Sequence, residues 1–222
     1  MAAKKAARIR DPEATRKRIL AAAKVEFARK GLGGARVDDI AARARSNKRM
    51  MYHYFGNKEE LFRLVLEDAY GDIRMAEANL DLDSLDPVEA MRAIVSFTWH
   101  YYLANPEFLT LVNSENLHKA RHIRTSQRIK EMSRPFVARM KNLLDRGAAA
   151  GVFRTGLDPV QINITIAGIG YYYLTNRFTG SIVFERDLMS EAALGERLDF
   201  NLKTILRLVC VPAVLARIEA SP

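Results

Sequence analysis

Apolar side chains recur at three- and four-residue intervals along almost the whole chain, punctuated by Gly and Pro, and that period confines the fold to packed helices. From Pro12, Ile19, Leu20, Ala23 and Phe27 predict a first helix, with Asp11 able to cap it and Gly31-Leu32-Gly33-Gly34 stopping it. Val37, Ile40, Ala41 and Ala44 predict a short second helix, and Asn47 can cap a third that ends near Phe55, before the turn Gly56-Asn57. Lys58 opens a longer helix with Leu61, Phe62, Val65, Leu66, Ala69, Tyr70 and Ile73 on one face. It fades after residue 78 and connects two regions. Beyond Pro87 the pattern predicts helices to about Asn105, to about Asn116, over Thr125–Ala150, from Asp158-Pro159 to Gly180 and over Glu196–Leu215. The Ile/Thr/Tyr run at 162–175 has strand propensity, but its length and the small residues Ala167, Gly168 and Gly170 favour a closely packed helix. The expected class is all-α.

Charge divides the chain unequally. Residues 1–55 hold six Lys and nine Arg against five acidic residues, whereas residues 56–222 hold 20 basic and 21 acidic. An excess confined to one end points to a polyanionic partner there. The expected organisation is a flexible basic arm at 1–10, a helical DNA-binding domain at 11–57 and a second domain at 58–222, with 58–80 the connecting helix. No apolar stretch approaches the ~18 residues of a membrane span, and the start of the chain has no apolar secretory core. The single cysteine, Cys210, cannot form an internal disulfide. A cytoplasmic setting is expected, with no cofactor.

The second and third helices, linked at Arg45-Ser46, form a helix-turn-helix whose third helix suits the major groove of DNA. Lys48 and Arg49 stand at its N-terminus, and an arginine there can bond guanine O6 and N7 bidentately. Tyr52, His53 and Tyr54 follow; Met51 and Phe55, four apart, should form the buried face and Tyr52 an exposed one. Ile40-Ala41, Asn47 to Phe55 and Asn57 to Phe62 together resemble the DNA-binding segment of the TetR/AcrR family of transcriptional repressors. The ending Tyr52-His53-Tyr54-Phe55-Gly56-Asn57-Lys58-Glu59-Glu60-Leu61 is the most specific part. The resemblance covers about residues 12–66. It implies a recognition helix in which Tyr52 and Tyr54 touch phosphate or neighbouring bases, and Lys58 bonding phosphate from the start of the fourth helix. Arg45 stands where the family has a turn glycine, Asn47 where it has serine and Arg49 where it has a second glycine, so two cations are added beside the groove.

For the second domain the expectation is a small-molecule effector site and a homodimer surface. Trp99, His100, Tyr102, Phe108, Val112, Asn116, Phe136, Met140, Tyr172 and Asn176 are the candidate lining of a pocket for a compact ring compound with hydrogen-bonding groups. A satisfied core histidine is the bland alternative for His100. His118 and His122, with Glu115, share a helix face that could hold a metal, although no fourth ligand is apparent and a hydrogen-bonded pair is favoured. The dimer surface is expected from the last two long helices, through Ile162, Ile166, Ile169 and Tyr173 and through Leu202, Ile205, Leu206 and Val209. Two half-sites of a palindromic operator follow from such a dimer. An architectural DNA-binding dimer without an effector is the competing class. An enzyme is disfavoured because no nucleophile elbow, phosphate loop or metalloprotease motif is present.

Overall fold

A computed structural model describes residues 11–220. Among these residues eleven α-helices follow one another: α1 (Pro12–Gly34), α2 (Val37–Arg43), α3 (Lys48–Phe55), α4 (Lys58–Ala78), α5 (Pro87–Ala104), α6 (Pro106–Leu117), α7 (Gln127–Ala149), α8 (Pro159–Thr175), α9 (Arg177–Val183), α10 (Glu191–Val209) and α11 (Pro212–Ala220). The expected basic arm at 1–10 lies outside the described residues.

The helix ends follow local chemistry. Asp11, Asp86 and Asp158 each accept backbone N–H bonds at the start of α1, α5 and α8, and each is followed by proline, whose missing N–H is harmless in a first turn. Two helices break where the periodicity predicts continuity. Asn176 leaves helical geometry, separating α8 from α9, and its side-chain amide donates to the Tyr172 carbonyl at 2.8 Å. The last long helix begins at Glu191 and stops at Val209, because Pro212 forbids the residue before it from staying helical; the chain turns extended at Cys210 and restarts as α11.

The described residues divide into two compact units, 11–68 with 110–126, and 69–109 with 127–220. The first unit buries Ile19, Ala23, Phe27, Ile40, Met51, Phe55, Leu61 and Phe62, with Phe27 and Phe62 meeting edge to face at 5.1 Å. Its 110–126 segment is held by Glu115, whose buried carboxylate accepts from the His122 and Ile123 amides and from His122 Nδ1 at 2.6 Å. Ser126 donates to Glu67, and the Leu32 amide donates to Ser114.

The second unit is built around α5, α7, α8 and α10, whose core includes Met91, Ile94, Met140, Leu143 and Phe153. Gly147 is required there: a Cβ would stand 2.0 Å from the Phe153 ring. Phe153 also pairs with Cys210 in an isolated antiparallel bridge. Ile162, Ile166, Ile205, Leu206 and Val209 belong to this same core, and Ile169 and Leu202 pack against it. Most of the two stripes expected at a dimer surface, Tyr173 excepted, is therefore packed within one subunit. Amphipathic periodicity identifies a buried face but not which body buries it.

Candidate functional site

The turn between α2 and α3 closes through the Arg45 amide on the Ala42 carbonyl and the Ser46 amide on the Ala41 carbonyl. Arg45 adopts φ 49°, a left-handed conformation that glycine tolerates better. Asn47 caps α3, its side chain accepting from the Met50 amide at 2.9 Å. The cap fixes the helix phase. Met51 and Phe55 point into the core at 3% exposure each, while Lys48, Arg49, Tyr52 and His53 are exposed and Tyr54 is half-buried. The Tyr54 ring is braced edge to face against His53 and Phe55, at centroid distances of 5.3 and 6.2 Å.

The exposed cations of this surface are mostly uncommitted. Lys48 reaches Asp38 only at 3.5 Å, between two well-exposed side chains. The Arg45 and Arg49 side chains make no hydrogen bond or ion pair among the described residues, whereas Lys58 donates to the Ala35 carbonyl at 3.2 Å. Lys58 thus joins the end of α1 to the start of α4, with two further N–H groups available. Arg36 and Arg43, exposed at the two ends of α2, extend the basic surface; only the charge count of the first quarter signalled them.

The ten candidate effector residues do not gather around one cavity. Trp99, Tyr102, Phe108 and Met140 are at most 6% exposed, and Phe108 stacks on Tyr102 at 6.0 Å. Phe136 packs under the Arg74 guanidinium at 4.1 Å; with Met140 it lines a cavity of about 10 Å³, room for a water molecule. Tyr172 and Asn176 line a separate cleft of about 350 Å³. His100 is exposed, its Nδ1 bonded to the Ser96 carbonyl at 2.8 Å, so neither the core nor the pocket expectation describes it. Val112 and Asn116 belong to the first unit, joined by a bond from the Asn116 amide to the Val112 carbonyl.

Beside the small cavity, Glu77 pairs with Arg74 at 2.6 Å. Burial pushes its carboxyl up to about 7 against the pull of Arg74 and Arg139. Burial likewise pushes the Tyr101 and Tyr102 hydroxyls up to about 12. Glu115, His118 and His122 make no metal centre: no group of three potential ligands that could hold an ion occurs among the described residues, and the Glu115 carboxylate is committed to amides and an imidazole. No described helix is long and apolar enough to cross a membrane.

Known proteins share this arrangement. Residues 19–65 match the family described as bacterial regulatory proteins, tetR family, and residues 87–205 match the tetracyclin repressor-like C-terminal domain. The HTH-type transcriptional repressor NicS of Pseudomonas putida is 39% identical over 200 residues, covering 90% of this chain and 94% of that protein. The repressor SCO4008 of Streptomyces coelicolor is 44% identical over 108 residues, 49% of this chain and 53% of its own length. Among solved structures, a transcriptional regulator of Streptomyces coelicolor, SCO4942, superimposes with a TM-score of 0.65 at 26% identity, covering 88% of this chain and 98% of that one. These relatives are regulators of transcription, not enzymes. With family models matching residues 19–65 and 87–205 and a relative of 39% identity along nearly its whole length, the chain belongs to the TetR family of DNA-binding transcriptional regulators.

Proposed function

We propose that the protein is a ligand-responsive repressor that acts in the cytoplasm and binds a palindromic operator as a homodimer. The observation that carries this reading is the outward face of α3, where Lys48, Arg49, Tyr52 and His53 are exposed above a helix anchored by Met51 and Phe55. Arg49 reads a base edge; Arg45, Lys48, Tyr54 and Lys58 meet phosphates or neighbouring bases, with the cap residue Asn47 setting their register. Repression in the relatives named NicS and SCO4008 supports the same direction of control.

The dimer uses the outward faces of α8 and α10. Ile164 and Phe200 are each 59% exposed, Leu208 is 37% exposed, and a Cβ at Gly168 would meet open space, so these positions are free to take a second copy. An effector bound by the second unit favours a conformation with weaker DNA affinity, and couples to the operator through its differential affinity for the two states. Gel-shift titration against the chain's own promoter region at several salt concentrations tests the reading. Wild type should bind with a steep salt dependence, and Ile164→Glu should sediment as a monomer and lose operator binding while its helical content is retained. Salt-insensitive binding, or a monomeric wild type that binds as tightly, would sink it.

A further inference from the structure

The cleft of about 350 Å³ in the second unit has a feature its size alone does not explain. Tyr172, Tyr173, Asn176, Thr179, Phe184 and Arg197 contribute to its wall, so α8, α9 and α10 all border it. The Arg197 guanidinium lies between two rings, 5.2 Å from the centroid of Tyr173 and 5.3 Å from that of Phe200. One of its nitrogens, Nη2, donates to the Ile169 carbonyl at 3.2 Å. Its Nε is buried without a hydrogen-bond partner, and no carboxylate among the described residues lies within ion-pair distance of it. A buried donor of a cation left without an acceptor is costly, and the neighbouring Arg186 shows what ordinary pairing looks like, since it is bonded to Glu196.

A guanidinium held against two aromatic faces keeps its remaining N–H groups in place for a carboxylate, and the Tyr172 and Phe184 rings of the wall can take an aromatic ring beside it. Asn176 and Thr179 add polar groups to a wall that also carries the apolar Val183 and Phe184. The volume is at the lower end of the range of small-molecule sites, about 300 Å³ and above, which suits a compact ring compound. We propose that this cleft binds a small aromatic carboxylate, with Arg197 as the residue that pairs with the carboxylate. The proposal rests on the ligand-responsive reading above, which it narrows to one site and one chemical class.

The protein carries its own reporter. Trp99, its single tryptophan, meets Tyr173 edge to face at 5.6 Å, so a ligand seated against Tyr173 perturbs Trp99 emission. The full-length protein is titrated with benzoate and with its neutral analogue benzamide, following Trp99 fluorescence and thermal stability. Benzoate should bind saturably and about tenfold or more tighter than benzamide. Arg197→Met should abolish that preference, and Thr179→Trp, an exposed position that fills the cleft without touching the cation, should block both probes. Equal affinities in wild type, or undiminished benzoate binding in both variants, would overturn the site. A variant that binds neither probe and turns the wild-type dimer into a monomer would reassign the cleft to the subunit interface. Release of operator DNA separates the two levels of inference. Benzoate that binds at Arg197 without releasing DNA leaves the site standing and removes its regulatory role. Release by other compounds that persists in Arg197→Met keeps the regulator and removes the site.

Discussion

Several arginines of the second unit and those of the helix-turn-helix turn and third helix do opposite work. In the second unit these side chains stitch the backbone: Arg139 donates to the Glu77 and Leu80 carbonyls, Arg146 to those of Leu82 and Leu85, and Arg154 to those of Cys210 and Arg207. Arg139 and Arg146, seven residues apart on one face of α7, between them hold the loop that follows α4. In the helix-turn-helix, the Arg45 and Arg49 side chains hold no partner among the described residues. A cation with internal acceptors contributes to folding, whereas one with none is available to an external anion; the free guanidinium is therefore a better mark of function than the basic residue as such.

That contrast can be broken by substitution. The largest effect is expected at Arg139→Ala, which strips acceptors of their charged donor and should lower unfolding free energy by about 2–3 kcal/mol in urea titration. DNA affinity per folded molecule should not change. A neutral outcome would mean that the stitches are incidental.

Glu77 gives the next effect, as a pH dependence. Its carboxyl is raised from 4.5 to about 7 in the folded protein, so between those values the native state keeps a proton that the unfolded chain has lost. Stability from this group consequently falls as pH rises through that window, by on the order of 3 kcal/mol, and is flat above it. Glu77→Gln should lessen the loss of thermal stability between about pH 5 and about pH 8. If the variant and wild type melt in parallel, Arg74 and Arg139 keep Glu77 ionised throughout.

Arg49→Ala should reverse the pattern of Arg139→Ala: stability within about 0.5 kcal/mol of wild type, but operator affinity lower by about 1–3 kcal/mol, selectively against specific sequence. Loss of stability without loss of affinity would place Arg49 among the structural arginines. The smallest effect sharpens the comparison most. Arg45→Gly relieves a left-handed backbone and should stabilise the protein by about 0.5–1 kcal/mol while weakening DNA binding, and Arg45→Ala should weaken binding without the gain in stability. Improved stability with unchanged binding would show that the strain serves no contact with DNA.

The legible parts of the molecule were those governed by neighbours along the chain. Asp11, Asp86 and Asp158 cap the helices they precede, and Asn47 sets the phase that buries Met51 and Phe55 and exposes Tyr52, all from interactions spanning four residues or fewer. The all-α class and the recognition helix follow from that local chemistry. Contacts between distant segments were decided by the tertiary structure alone. Periodicity marked Ile162, Ile166, Ile205 and Leu206 as apolar faces, but only packing against α5 and α7 made them interior and left Ile164 and Phe200 outside. Likewise Trp99, Tyr102 and Phe108 read as pocket residues and are core, while Arg197, which no local motif singles out, has a buried nitrogen without an acceptor because α8 and α10 meet around it. A hydrogen bond or a cap is specified within one helical turn; burial depends on which surfaces meet, and many segments compete for each apolar face.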